Sequence, residues 1–238
     1  MQSKTMAQAP SLKPLPSLKP PPSLKPPPDD DILVTSLLDF LEVATHEFIY
    51  RWRIYPNDLF DRWKKYEVPV HICRHQRVID YIRSMLQSCR PWILEGRVEK
   101  LSIAVRSTST GALLNTCVFE LRLLTFAGKD MPKRELDEAY RRSLVQLSAA
   151  VTTYATVDDT NHDRTFRLFL LTLEDDDHPD SLVSDDAIQR SWILAPQEEE
   201  ANTLSAPSSI TPVASTNEAA LPLKLNIYFV QPAPLSSS

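Results

Sequence analysis

The sequence predicts an α+β domain, and three observations carry that expectation. From Ile32 to Trp52, the residues Leu33, Leu37, Phe40, Leu41, Ala44 and Phe48 recur at helical spacing, while Val34, Leu38 and Ile49 extend the apolar surface round the other side. A helix apolar over most of its circumference belongs in the middle of a domain, covered on more than one side. Separate runs alternate with period two, the mark of half-buried strands: Leu101, Ile103 and Val105, then Cys117, Phe119, Leu121 and Leu123, and last Leu223, Leu225, Ile227 and Phe229. Only 3 glycines occur among 238 residues. Folds built on glycine-rich phosphate loops are therefore excluded, P-loop ATPases and GxGxxG dinucleotide enzymes among them.

Taken in chain order, residues 10 to 28 repeat Pro-Ser-Leu-Lys-Pro three times with a period of six, from Pro10, Pro16 and Pro22. Proline at this density fixes φ and removes donors, so residues 1–28 are expected to be a disordered, extended tail outside the domain. The acids that begin at Asp29 suit a helix N-terminus, where the helix dipole favours negative charge. On the first helix only a narrow stripe with Asp39, Glu42 and His46 is polar. A second helix is expected from about Arg74 to Ser88, with Val78, Ile82, Met85 and Cys89 on one stripe and Pro91 beyond its end. The polar stretch Ser107 to Gly111 suits a hairpin loop between the first two strands. A third helix starts near Pro132, on the stripe Leu136, Tyr140, Leu144, Leu147, Val151 and Tyr154.

The run from Phe166 to Leu173 is apolar on both faces apart from Arg167 and Thr172, which reads as a central strand. An acidic loop, Glu174 to Asp180, ends it. From Gln197 to Pro222 the chain is polar, proline-interrupted and almost patternless, yet a well-alternating strand, 223–230, follows. A structureless loop of that length inside a compact domain is uncommon and usually functional. It suggests a segment able to leave the sheet and return.

Composition narrows the chemistry. The formal net charge is −5 although the residues before Asp29 contribute four lysines and no acid. A chain this acidic is a poor nucleic-acid binder on its own, so any contact with DNA is expected to be indirect. The local exception is Arg51 to Arg77, where Arg51, Arg53, Arg62, Lys64, Lys65, Arg74 and Arg77 outnumber Asp58, Asp61 and Glu67; a solvated face or a basic patch would both account for it. Cys73, Cys89 and Cys117 are odd in number and far apart, which suggests neither a disulfide framework nor a CxxC pair and fits a reducing compartment. No run approaches transmembrane length and no secretory h-region opens the chain, so a soluble protein is expected. His71, Cys73 and His75 alternate but lack a second ligand pair at zinc spacing, and Asp175, Asp176, Asp177 and Asp180 lack the glycine and spacing of a calcium loop. Neither GxSxG nor HExxH occurs. No metal, no cofactor and no enzyme activity are expected.

Several spaced blocks then carry a family resemblance. Phe40-Leu41-Glu42-Val43-Ala44, His46, Ile49-Tyr50, Arg53, Tyr55-Pro56, Lys64-Lys65-Tyr66 and Val68-Pro69-Val70 occur in order. Tyr81-Ile82, Val98-Glu99-Lys100, Val118-Phe119-Glu120 and Trp192-Ile193-Leu194-Ala195 continue the series. Over roughly Asp30 to Val230 the chain resembles the HORMA-domain family, most of all its branch in translesion DNA synthesis. The resemblance implies three main helices on a mostly antiparallel sheet, with a core at 29–195 and a mobile safety-belt segment at 196–238 that closes over a partner peptide. Strand addition of this kind gives affinity through backbone pairing.

The resemblance also implies the function and the site. It implies a nuclear, and also cytoplasmic, non-catalytic adaptor that traps a peptide of the polymerase zeta catalytic subunit and bridges to the C-terminal domain of the deoxycytidyl-transferase translesion polymerase. An AAA+ ATPase would open the belt. Tyr81 and Trp192 fall where the family grips the peptide, Ile210, Asn226 and Tyr228 where it contacts the second polymerase, and Arg141 where such domains dimerise. Without the resemblance, Tyr81 and Trp192 would be read as packing residues and Arg141 as a solvated helix charge. The proline tail departs from the family pattern. Two alternatives stay open, a spindle-checkpoint or other signalling adaptor using the same belt, and a small hydrolase using His71 or His75.

Overall fold

A computed structural model of the chain describes residues 28–124, 132–154, 163–173 and 209–232. The predicted acidic loop at 174–180, Trp192 and the repeat tail lie outside them. The elements run in the order α1 (Pro28–Arg51), β1 (Phe60–Lys65), β2 (Val68–Cys73), α2 (Gln76–Ser88), α3 (Arg90–Leu94), β3 (Val98–Ser107), β4 (Leu113–Leu123), α4 (Lys133–Tyr154), β5 (Arg164–Thr172), β6 (Ser209–Thr216) and β7 (Leu223–Gln231). This is an α+β fold. The larger sheet has the order β5-β3-β4-β7-β6, every neighbour antiparallel, and β1 and β2 form a separate two-stranded sheet.

Helix α1 is central, as its all-round apolar surface requires: it packs against β2, α2, α3 and α4. Its Phe40 ring stacks on Tyr140 of α4 with centroids 4.5 Å apart, and Phe48 meets Phe229 of β7 at 6.1 Å. Helix α4 buries Leu136, Tyr140, Leu144, Leu147 and Val151 on its predicted stripe. On β7 the odd-numbered residues from Leu223 to Phe229 are buried while the even ones alternate away, which is the period-two pattern realised.

Three expectations are corrected. No element is predicted for 53–73, yet 60–73 form the β1–β2 hairpin, whose two-residue turn is Tyr66-Glu67. Both residues have positive φ (47° and 60°), as a hairpin turn matched to strand twist requires but without the usual Asn or Gly. Packing holds them there, since the Tyr66 ring lies edge-on to Tyr140 at 5.4 Å and tilted to Phe40 at 6.4 Å. The segment 209–216, read as patternless loop, is strand β6; Pro212 sits at a register shift against β7, a position where a missing N–H is tolerated. The 166–173 run is an edge strand among the described residues: its apolar second face owes nothing to a further strand, and Leu170 and Leu171 stay half-buried.

His46, placed on the polar stripe by the sequence, is fully buried and its Nδ1 accepts the Cys73 N–H at 3.4 Å. Beside it Glu47 is also fully buried and binds four donors. Arg51 Nε gives a 2.7 Å bond, the His71 backbone N–H a 2.7 Å bond, His71 Nδ1 lies at 3.0 Å and Ser148 Oγ at 3.1 Å. One carboxylate therefore ties α1 to β2 and α4. The Tyr50 and His71 rings stack at 3.6 Å beside it.

Burial pushes the His46 pKa down to about 4, below its ordinary 6.5. For Glu47 burial acts upward, but the Arg51 and His71 bonds outweigh it and hold the carboxyl below its ordinary value. Both groups bind fewer protons folded than unfolded, so both contribute stability that is lost on acidification. The His46 contribution disappears as pH falls from 6.5 towards 4, with a slope approaching about 1.4 kcal/mol per pH unit; the Glu47 contribution disappears below the carboxylate range. Urea unfolding across this range should show the first loss in the wild type and a flattened profile between 6.5 and 4 in His46→Asn, which keeps an acceptor for Cys73. In the core, Phe40→Ala should lower unfolding free energy by about 3–5 kcal/mol, read from denaturant midpoints.

Candidate functional site

The outer edge of β5 is the first candidate. Among the described residues no strand pairs with it. The Leu168 N–H points away from β3 and its nearest acceptor is the Tyr81 hydroxyl of α2, at 3.5 Å. Strand alternation directs the N–H groups of Phe166 and Leu170 outward as well. Phe166 is clasped by two aromatic edges, Tyr81 with centroids 5.7 Å away and Tyr55 at 6.3 Å. Burial raises the pKa of both tyrosines, so both are neutral donor–acceptor groups at physiological pH. At the start of the strand, Arg164 donates to the Trp52 carbonyl at 3.0 Å and lies over its ring at 5.7 Å.

This geometry can accept an extended chain: outward main-chain groups at Phe166, Leu168 and Leu170 on an edge that no other described strand covers, an apolar rim, and one exchangeable hydroxyl contact. Tyr81, 37% exposed, is the predicted residue that stands on it. Trp192 lies outside the described residues. Tyr55 and Phe166 were not singled out from the sequence, although a tyrosine beside a proline and a phenylalanine in an apolar strand were both visible there.

The other predicted residues stand elsewhere. Ile210, Asn226 and Tyr228 share one face of the β6–β7 pair, opposite the buried Leu225, Ile227 and Phe229. Ile210 pairs with Val230 and is 56% exposed. Asn226 accepts from Ser215 at 2.8 Å and donates to Glu120 at 3.4 Å, while burial raises the Tyr228 pKa with Lys100 and Glu120 close by. The three are thus brought together, two strands and more away from the β5 edge. Arg141 is on α4 and, among the described residues, bonds in-helix to Glu138 at 3.3 Å, whereas Arg142 pairs with Glu218 in the β6–β7 connection.

Among the described residues the remaining chemistry-bearing side chains do not assemble into a centre. His71 is committed to Glu47, and Cys73, Cys89 and Cys117 are buried free thiols whose pKa values burial raises. Among the described residues no group of three or more His, Cys, Asp and Glu could hold a metal ion. No helix among them is long and apolar enough to cross a membrane.

No family model matches the chain. It is 34% identical over 74 residues to the human mitotic spindle assembly checkpoint protein MAD2B, an alignment covering 31% of this chain and 35% of that protein. To the DNA polymerase zeta processivity subunit of Arabidopsis thaliana it is 28% identical over 115 residues, 48% of this chain and 53% of the relative. The chain thus spans about a third to a half of the length of these relatives. Among solved structures, a chain of the mitotic checkpoint complex superposes with a TM-score of 0.61 at 18% identity, over 84% of this chain and 98% of that one. The C. elegans protein HTP-2, solved bound to the HIM-3 closure motif, superposes with a TM-score of 0.59 at 8% identity, over 87% and 92%. The topology and these likenesses agree: the chain has the fold of the HORMA structures and is similar, at modest identity and over part of its length, to MAD2B and to the polymerase zeta subunit.

Proposed function

We propose that this protein is a non-catalytic adaptor of translesion DNA polymerase zeta, which takes up an extended peptide of the catalytic subunit along the outer edge of β5. The observation that carries this reading is the outer edge of β5, which no other described strand covers, with the Leu168 N–H beneath the Tyr81 hydroxyl and Phe166 between Tyr55 and Tyr81. An incoming strand replaces the single long hydroxyl contact with a ladder of main-chain bonds. Similarity to the Arabidopsis processivity subunit supports the polymerase assignment. On the same reading Trp192 contributes to the grip, the Ile210, Asn226 and Tyr228 face receives the C-terminal domain of the second polymerase, Arg141 serves dimerisation, and an AAA+ ATPase releases the peptide. The site would operate in the nucleus.

A second reading, a checkpoint adaptor using the same edge, is favoured by the superposition on the mitotic checkpoint complex chain. Overlapping peptides from the organism's own polymerase zeta catalytic subunit and from its checkpoint proteins separate the two. Calorimetry should find tight binding to one polymerase segment, weakened by about 2 kcal/mol or more in Tyr81→Ala. Binding confined to checkpoint peptides would transfer the protein to the second reading; binding indifferent to Tyr81 would remove the β5 edge from both.

A further inference from the structure

The β1–β2 hairpin carries a second open edge, on the small sheet rather than the large one. Strand β1 pairs with β2 alone among the described residues, and every β1 residue after Phe60 is exposed. Which groups face outward follows from the register. Leu59 accepts the Arg74 N–H at 2.8 Å, so 59 and 74 form a bonded pair, and along the antiparallel ladder the bonded pairs are then Asp61 with Ile72, Trp63 with Val70 and Lys65 with Val68. The N–H and C=O groups of Arg62 and Lys64 consequently point away from β2, on the side where no other described strand lies.

The exposed side chains on this edge are mainly basic, three cations against the single acid Asp61. Arg62, Lys64 and Lys65 are exposed, and Trp63 between them is 57% exposed, the most exposed large apolar side chain among the described residues. Among the described residues Lys64 has one ion-pair partner, Glu67 of the turn, with both side chains about two-thirds or more exposed. Such a pair is worth little and exchanges readily. The turn is anchored through Tyr66 to α1 and α4, so the edge is presented on a fixed support and not on a swinging loop.

A second copy of this chain is a poor occupant. Antiparallel pairing of β1 with itself must match outward-facing residues with outward-facing residues, which sets Arg62 against Arg62 or Arg62 against Lys64, and only the second register brings Asp61 opposite Lys65 in partial compensation. Like charges directly opposite destabilise a sheet. A nucleic acid could answer the charge and stack on Trp63, but it leaves the outward N–H and C=O groups unmatched, and the chain as a whole carries −5.

We infer that the outer edge of β1 is a docking site for an acidic β-strand of a partner protein, with acidic residues at alternate positions opposite Arg62 and Lys64 and an apolar residue between them against Trp63. Main-chain pairing supplies the affinity, and the alternation of charge and Trp63 supplies the selection. This site is separate from the β5 edge in residues, sheet and charge, so both can be filled together.

The test uses the full chain and a synthetic eight-residue strand, acetylated and amidated, that alternates Glu with Val and has one Tyr. Amide-resolved NMR titration should shift the resonances of Arg62, Trp63 and Lys64 and leave those of Phe166 to Leu170 in place. The double substitution Arg62→Glu with Lys64→Glu lies on exposed positions and should leave the melting temperature unchanged; it should weaken the peptide by about tenfold or more and make the chain accept the same peptide with Lys for Glu. N-methylation of the peptide amides that face β1 should abolish binding. Equal binding of the N-methylated peptide would overturn strand addition. So would absence of binding to a folded protein, or displacement of the peptide by an oligothymidylate at equal concentration, the last assigning the edge to single-stranded nucleic acid instead.

Discussion

A carboxylate with no exposed surface, set in the most apolar helix of the molecule, constrains everything around it. Glu47 cannot be buried unless donors are brought to it, and those donors come from its own helix, from β2 and from α4. Removing the partners of a buried charge costs about 3–5 kcal/mol, a large fraction of the stability of a domain of this size. The helix therefore dictates where the hairpin lies and how α4 crosses. His46, one residue earlier, repeats the arrangement two residues further along β2 by accepting from Cys73.

With the hairpin and α4 fixed on one side, the large sheet is fixed on the other. The odd residues of β7 from Leu223 to Phe229 and the two buried residues of β5, Phe166 and Leu168, reach the core. The two ends of the sheet consequently have different characters. At the β5 end, α2 leans over the edge and supplies Tyr81. At the β6 end, α4 reaches the sheet margin through the ion pair of Arg142 with Glu218, and the opposite face presents Ile210, Asn226 and Tyr228. Two ligands placed at these two ends would not compete for space.

What could be read in the sequence was what periodicity records. The three long helices and the strands at 98–107, 113–123 and 223–231 each place apolar residues at their own repeat, and tertiary packing did not override them. The hairpin at 60–73 escaped because its first strand is buried only at Phe60; Asp61 to Lys65 are all exposed, so no alternation marks that strand. Strand β6 escaped for a related reason, a proline at a bulge and a mostly exposed edge. Of the site residues, Tyr81 could be named by resemblance, but its contact with Leu168 joins residues 87 apart in the chain, a relation no local pattern contains. Glu47 left a faint signal, an acid inside an otherwise apolar face, that only its four donors make intelligible.

One feature of the sheet order bears on how the molecule comes into being. Strand β7 lies inside the sheet, yet it is the last described strand, and its register joins Thr116 to Val230 and Leu123 to Leu223. As the chain emerges from the ribosome, β3 and β4 can form their hairpin at once, but β4 must wait for roughly a hundred further residues before its other side is covered. During that interval a nascent edge flanked by Phe119 and Leu121 is open to chaperones or to a partner already at hand. The assembly of this protein with others could thus begin on the polysome, before its own sheet is closed.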